Sequence, residues 1–334
     1  MAGEDSAAAR GLDEIRSVLA DLPGPDLEAA TAALTRRSQM EKTAGTLGRL
    51  SEHVEWLATW QGRHPPALRR PRTAVFAGNH GLARHLDRPK PARSAERLVE
   101  AAVAGSATVN AACTAADADL RVYEMSLETP TRDAMAEPAM DEEECARAIA
   151  YGMMAVEQGL DLICLDTVGA GGEAAAAAIG LSLFGGSAED WLPERPEEHG
   201  PAIEPGLVRT LSERHGGAGD AFEILRRLGG FEMCAVTGAL IAARLARTPV
   251  VLGGYPAMAA AAVLFAVDRR SLDHCRSAES YAAECGPGRM IRHLHLSGLM
   301  DFGVRLGAGT EATLAVPLLR AAVEIHGGSA PSGR

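Results

Sequence analysis

Aromatic residues are scarce, with six Phe, four Tyr and three Trp in 334 residues. The core must therefore be built mainly from Ala, Leu and Val. Long apolar runs are missing too: the most apolar stretch, Ala257 to Val267, falls far short of the ~20 residues a membrane span needs. The first residues, MAGEDSAAARGLDEIR, are polar and acidic with no apolar h-region. No secretory signal is expected, and the expected location is the cytoplasm. Positive charge is in deficit, and the formal net charge of −11 argues against nucleic acid, whose phosphates want a basic face. It does not exclude an anionic small molecule, because backbone amides bind phosphate even in an acidic protein. The six cysteines (Cys113, Cys145, Cys164, Cys234, Cys275, Cys285) form no CxxC pair, and the ten histidines show no HExxH spacing. Neither a disulfide framework nor a metal site is read from them. A GxxxxGK[ST] loop is absent, which excludes a P-loop.

What is present is alternation. Residues 11–62 read as helical, with Leu12, Ile15, Val18 and Leu19 at helical spacing before the stop signal Pro23-Gly24-Pro25. From Thr73 onward, short apolar runs alternate with helical stretches. The expected strands are Thr73–Gly78, Leu120–Leu127, Leu160–Leu165 with Asp166 at its end, Pro249–Leu252 and His295–Phe302. Expected helices cover 94–116, 141–158, 221–228, 231–247, 258–266 and 312–325, and the longest loop covers 191–206. Such alternation predicts βαβ units and a doubly wound parallel sheet, an α/β fold in which ligands bind beyond the carboxyl ends of the strands.

Glycines collect at those strand ends: Gly78, the turn with Gly169, Gly171 and Gly172, Gly253-Gly254, and Gly307 with Gly309. Strand, glycine turn and alanine-rich helix make a candidate anion cradle at 166–174. Close packing of a helix on a sheet explains the same glycines, and Glu173 in the first helical turn suits the dipole but would repel a phosphate. Gly169-x-Gly171-x-x-Ala174 and Gly307-x-Gly309-x-x-Ala312 formally fit the dinucleotide fingerprint. The acidic residue wanted about 20 residues later at a strand end is lacking, because Glu189-Asp190 falls in a loop. Asn79-His80 at a strand end suits substrate positioning or acid–base work, or merely a tight turn. Arg269, Arg270 and Arg276 suit an anion or an ordinary basic surface.

Taken together, several strings are specific: Leu47-Gly-Arg-Leu50, Val75-Phe-Ala-Gly-Asn-His-Gly81, Gly185-Gly-Ser-Ala-Glu-Asp-Trp191, Leu225-Arg-Arg-Leu-Gly-Gly-Phe-Glu232, Pro249-Val-Val-Leu252, Ser277-Ala-Glu279 and Arg305-Leu-Gly-x-Gly-Thr310. With them the chain resembles the nicotinate-mononucleotide:5,6-dimethylbenzimidazole phosphoribosyltransferases of cobalamin lower-ligand assembly, from about Leu22 to Ile325. The resemblance implies a Rossmann-like sheet domain, a smaller helical domain formed from both chain ends, and a homodimer. Placed on this chain, residues 1–72 and 311–334 would form the small domain and 73–310 the large one. It also implies transfer of phosphoribose from nicotinate mononucleotide to a benzimidazole-type base, giving α-ribazole phosphate with inversion at the sugar. Neither a metal nor a cofactor is implied. The matching positions for substrate are Asn79, His80, Thr167, Gly169, Gly171, Gly172, Gly307, Gly309 and Thr310.

The chemistry matches less well than the scaffold. The family's last glycine turn reads Gly-Glu-Gly-Thr-Gly, with the Glu as general base. Here that position is Ala308, and Glu311 replaces the second glycine beyond it. The family loop Gly-Glu-Met-Gly-Ile-Gly-Asn-Thr-Thr corresponds to Asp166–Ala174, so a second glutamate has become Thr167 and a phosphate-facing Thr-Thr pair has become Glu173-Ala174. A phosphate loop aligns with His199-Gly200-Pro201, where Pro201 lacks an N–H. An expected lysine falls on Thr210, and Arg97 stands where the family keeps Gln; the segment 84–93 is recast as basic and proline-rich. Three functions stay open. One is the family reaction with Glu311 or Glu173 as substitute base. Another, favoured by Ala308 and the altered 166–174 loop, is a chain with impaired or lost catalysis, serving as a ligand-binding subunit or as the partner of an active paralogue. The last is a different enzyme on the same scaffold.

Overall fold

A computed structural model describes residues 5–43, 45–86, 94–193, 203–281, 284 and 286–328. Three helices come first, α1 (Asp5–Ala20), α2 (Leu27–Thr43) and α3 (Arg49–Gln61). Then follow β1 (Pro71–Ala77), α4 (Ser94–Val103), α5 (Thr108–Ala116), β2 (Asp119–Glu124), α6 (Glu142–Met153), β3 (Leu162–Val168), α7 (Gly172–Phe184), α8 (Pro205–His215) and α9 (Ala221–Leu228). The chain continues through α10 (Phe231–Leu245), β4 (Val250–Leu252), α11 (Tyr255–Val267), β5 (Cys275–Glu279), α12 (Gly286–His293), β6 (Gly298–Met300) and α13 (Thr310–Gly328). Among the described residues no single helix is long and apolar enough to cross a membrane; α4 and α5 pass that test only as a pair bent by 44°.

The six strands form one sheet in the order β2-β1-β3-β4-β5-β6, and every pairing is parallel. This is the expected doubly wound α/β sheet. The order reverses between β1 and β3, so the crevice for a ligand opens beyond the carboxyl ends of those two strands.

Side-chain parity assigns each face. On β3, Ile163 and Leu165 join the large apolar cluster made with α6, α7, α10 and α11, whereas Leu162 and Cys164 join a second cluster with α3 and α13. Ala74 and Phe76 of β1, and Val250 and Leu252 of β4, also face the first layer. Period-two alternation carries Asp166 to the α13 side, two residues after Cys164. Local signals explain the helices. Asp141 caps α6 in a reciprocal box with Glu144, and Asp220 caps α9 through the Phe222 N–H at 2.7 Å.

Some elements differ from the sequence expectation. The helix expected over 94–116 is two helices, because Gly105 takes φ +74 and the Asn110 side chain accepts from the Ala107 N–H to start the second. The helix expected over 141–158 ends at Met153. β3 extends past Asp166 to Val168, so Asp166 lies inside the strand and not at its end. α8, α12 and β5 were not anticipated. β5 (CRSAE) carries no apolar run, and α8 opens with Pro205 at its first turn. Residues 87–93 of the basic loop, the 199–201 stretch and Cys285 lie outside the described residues; the other five cysteines are buried free thiols.

Candidate active site

The crevice at the β1/β3 reversal holds a pocket of about 430 Å³. Its lining comes from the end of β3, the turns that open α7, α11 and α13, and residues of α4, α5 and α10. Thr167 and Val168 end β3 and Gly169 follows it; Gly172 and Glu173 open α7; Gly254, Tyr255 and Pro256 open α11; Leu306, Gly307 and Ala308 precede α13. Arg97, Leu98 and Ala101 of α4 close one side, with Ala107, Thr108 and Glu232. Thus Thr167, Gly169, Gly172, Gly307, Glu173 and Ala308 all face one cavity.

Asn79, His80, Gly171, Gly309, Thr310 and Glu311 stand behind that lining. The N–H of His80 donates to the Ala170 carbonyl at 3.1 Å, and the Ala170 N–H donates to Asn79 Oδ1 at 3.3 Å. These two bonds stitch the β1 turn to the β3 turn. His80 Nε2 lies 2.6 Å from Glu232 Oε1 with both side chains buried, while Glu232 Oε2 is buried without a hydrogen-bond partner among the described residues. Thr310 sits 3.2 Å from the Thr108 hydroxyl. Thr210 lies in α8, where its hydroxyl donates to the Gly206 carbonyl.

Glycine is needed here for space. A β carbon on Gly171 would meet His80 Cβ at 2.9 Å, and its φ of +95 also favours glycine. Gly309, at φ +80, leaves room for Thr73 and Val75 of β1. Ala308 adopts the same left-handed region (φ +53) without being glycine, a conformation that costs an L-residue roughly 1–2 kcal/mol.

The residue that sequence reasoning passed over is Asp166. It is 1% exposed, lines the pocket, and its Oδ2 accepts from the Gly309 N–H at 2.7 Å. Its Oδ1 accepts from the Thr167 N–H at 2.7 Å, and the Gly254 N–H also donates to the carboxylate. Glu311 holds the same turn from the other side. Its Oε1 accepts from the Gly307 N–H at 2.7 Å, and its Oε2 is buried without a partner among the described residues. Burial, then the nearby Glu311 carboxylate, push Asp166 up to about 7 against the pull of the three N–H donors. Strand parity marks its side, but only the topology shows that α13 covers that side.

Residues 22–332 match the family described as Phosphoribosyltransferase (DBI_PRT). A protein of Allorhizobium ampelinum named nicotinate-nucleotide–dimethylbenzimidazole phosphoribosyltransferase is 44% identical over 321 residues, 95% of this chain and 94% of that relative. A Brucella anthropi protein of the same name is 41% identical over 330 residues, 97% and 96% of the two chains. The crystal structure of CobT from Thermus thermophilus superposes with a TM-score of 0.76 at 27% identity, over 90% of this chain and 96% of that one. Family match, relatives and fold agree: the chain belongs to the nicotinate-nucleotide–dimethylbenzimidazole phosphoribosyltransferase family.

Proposed function

We propose that this protein carries out phosphoribosyl transfer from nicotinate mononucleotide to a benzimidazole-type base in the crevice between the β1 and β3 turns. The nicotinate ring is a pyridinium and a good leaving group. The protein therefore has to align an attacking ring nitrogen with the anomeric carbon and supply a group for the azole proton. The observation that carries this reading is a buried carboxyl, Asp166, in the same pocket wall as Ala308. A wall of Leu98, Ala101, Ala107 and Leu306 offers the apolar surface a flat bicyclic base requires. Asn79 and His80 brace the turns that meet the substrate, and Arg97 places a cation on the rim.

A second reading is favoured by one specific feature, the methyl group of Ala308 where the family base stands. In that reading the chain binds a nucleotide or pairs with an active paralogue without turnover. Glu311 and Glu173 then have no chemical duty. Turnover of purified protein with nicotinate mononucleotide and dimethylbenzimidazole, run beside Ala308→Glu, separates the two. The first reading expects α-ribazole phosphate from the unmodified chain; product from Ala308→Glu alone supports the second.

The same reading includes a small helical domain from both chain ends; α3 and α13 share an apolar cluster that also takes in Leu162 and Cys164 of β3. It also includes a homodimer in the cytoplasm. Light scattering at micromolar concentration tests the dimer, and a monomer would refute it.

A further inference from the structure

We propose that Asp166 is the group that takes the azole proton, doing from β3 what position 308 no longer does from the α13 turn. This rests on the transferase reading above. Three observations carry it. First, the carboxylate is hydrogen-bonded to the N–H of Gly309, the residue after Ala308, and lines the same pocket as Ala308. Second, the surroundings are shaped around it. A β carbon on Gly253 would meet Asp166 Oδ2 at 2.6 Å, and one on Gly254 would meet Oδ1 at 2.6 Å. Neither glycine has a positive φ, so both serve to leave room. Third, three backbone N–H groups occupy three of about four acceptor positions of a carboxylate. They fix its orientation and leave one position for a substrate proton.

The step balances. One benzimidazole nitrogen forms the bond to C1′ with its lone pair. The C1′–pyridinium bond breaks, and its electron pair stays on nicotinate nitrogen. The proton on the other benzimidazole nitrogen passes to Asp166, which releases it to solvent after product leaves.

The charged groups around Asp166 decide its titration. Glu311 faces it from α13 and Tyr281 from the residues after β5, while Glu173 of α7, Glu232 of α10 and Arg97 of α4 line the same pocket. Glu311 is the charged neighbour that raises it, so removing that charge lowers the pH at which the base becomes active.

The test is turnover of nicotinate mononucleotide and dimethylbenzimidazole from pH 5.5 to 9 by the full chain, D166N, E311Q and D166N/A308E, with nucleotide binding by calorimetry. The wild type should lose activity tenfold per unit below pH 7. D166N should fall at least ~100-fold in kcat while its Kd stays within about threefold. D166N/A308E should regain at least tenfold of that loss. The acid limb of E311Q should move to lower pH, a readout that stands even where D166N fails to fold. D166N turning over within threefold of wild type, or an E311Q limb that stays in place, overturns the inference while leaving the transferase reading intact. An inert wild type beside an active A308E overturns both.

Discussion

The α carbon of Gly169 lies against the carbonyl of Gly78, so closely that a β carbon there would stand 1.6 Å from the oxygen. The Gly78 N–H donates to the Val168 carbonyl at 2.9 Å just before this contact, so the β1 and β3 ends are zipped to the edge of the crevice. Because the obstacle is backbone, Gly169→Ala cannot be absorbed by a rotamer change. It should cost at least ~3 kcal/mol, read from the urea midpoint, with loss of nucleotide binding. An unchanged midpoint would mean the strands part easily here.

Ala308 should be more stable as glycine. Relief of its left-handed conformation, roughly 1–2 kcal/mol, exceeds the roughly 0.4–1 kcal/mol that a freer unfolded chain costs. Ala308→Gly is therefore expected to raise unfolding stability by up to about 1.5 kcal/mol in urea titration. A decrease would show that the methyl packs usefully in the pocket wall.

Acid should weaken the fold partly through His274. The ring is buried, donates through Nε2 to the Leu240 carbonyl at 3.2 Å, and is pushed down to about 3 by burial and then by Arg244. The folded form needs the neutral ring, so its contribution is complete above the unfolded value near 6.5 and is lost as pH falls toward 3. At pH 5 one such ring costs roughly 2 kcal/mol. In His274→Gln the stability difference between pH 7.5 and 5 should shrink by about that amount; an equal difference in both proteins would refute it.

Tyr255 links the pocket to the segment after α7. Its hydroxyl donates to the Trp191 carbonyl at 2.8 Å, and the residue is part of the cavity lining. Tyr255→Phe leaves that carbonyl without this donor, and a loss of about 1–2 kcal/mol is expected. Trp191 also stacks on Phe184 at 5.8 Å, so its fluorescence should report the change locally.

The α/β alternation was legible because buried strands such as β1 and β3 are plain apolar runs between helical periods. β5 escaped because its five residues include Arg, Ser and Glu, and the Ser and Glu are buried only through tertiary pairing. The Glu279 carboxylate, for example, accepts from the Phe302 and Gly303 N–H groups. The glycine turns were legible as a crevice. The carboxyl inside it was not, since a residue's direction along a strand gives parity but not which helix lies above it. Glu173 and Glu311 drew attention as replacements at aligned positions, whereas Asp166 becomes interesting only when Gly309 is seen beside it.

The alanines of α7 and α11 have a consequence for reactivity. Residues 174–178 and 259–262 are almost wholly buried methyl groups. An alanine has no rotamer to lose on folding and none to switch afterwards. Behind the first turns of the two helices, these alanine runs leave few side chains that could repack. The pocket's floor is therefore set at the moment of folding. For any ligand entering the pocket, donors held in place beforehand lower the cost of ordering the site.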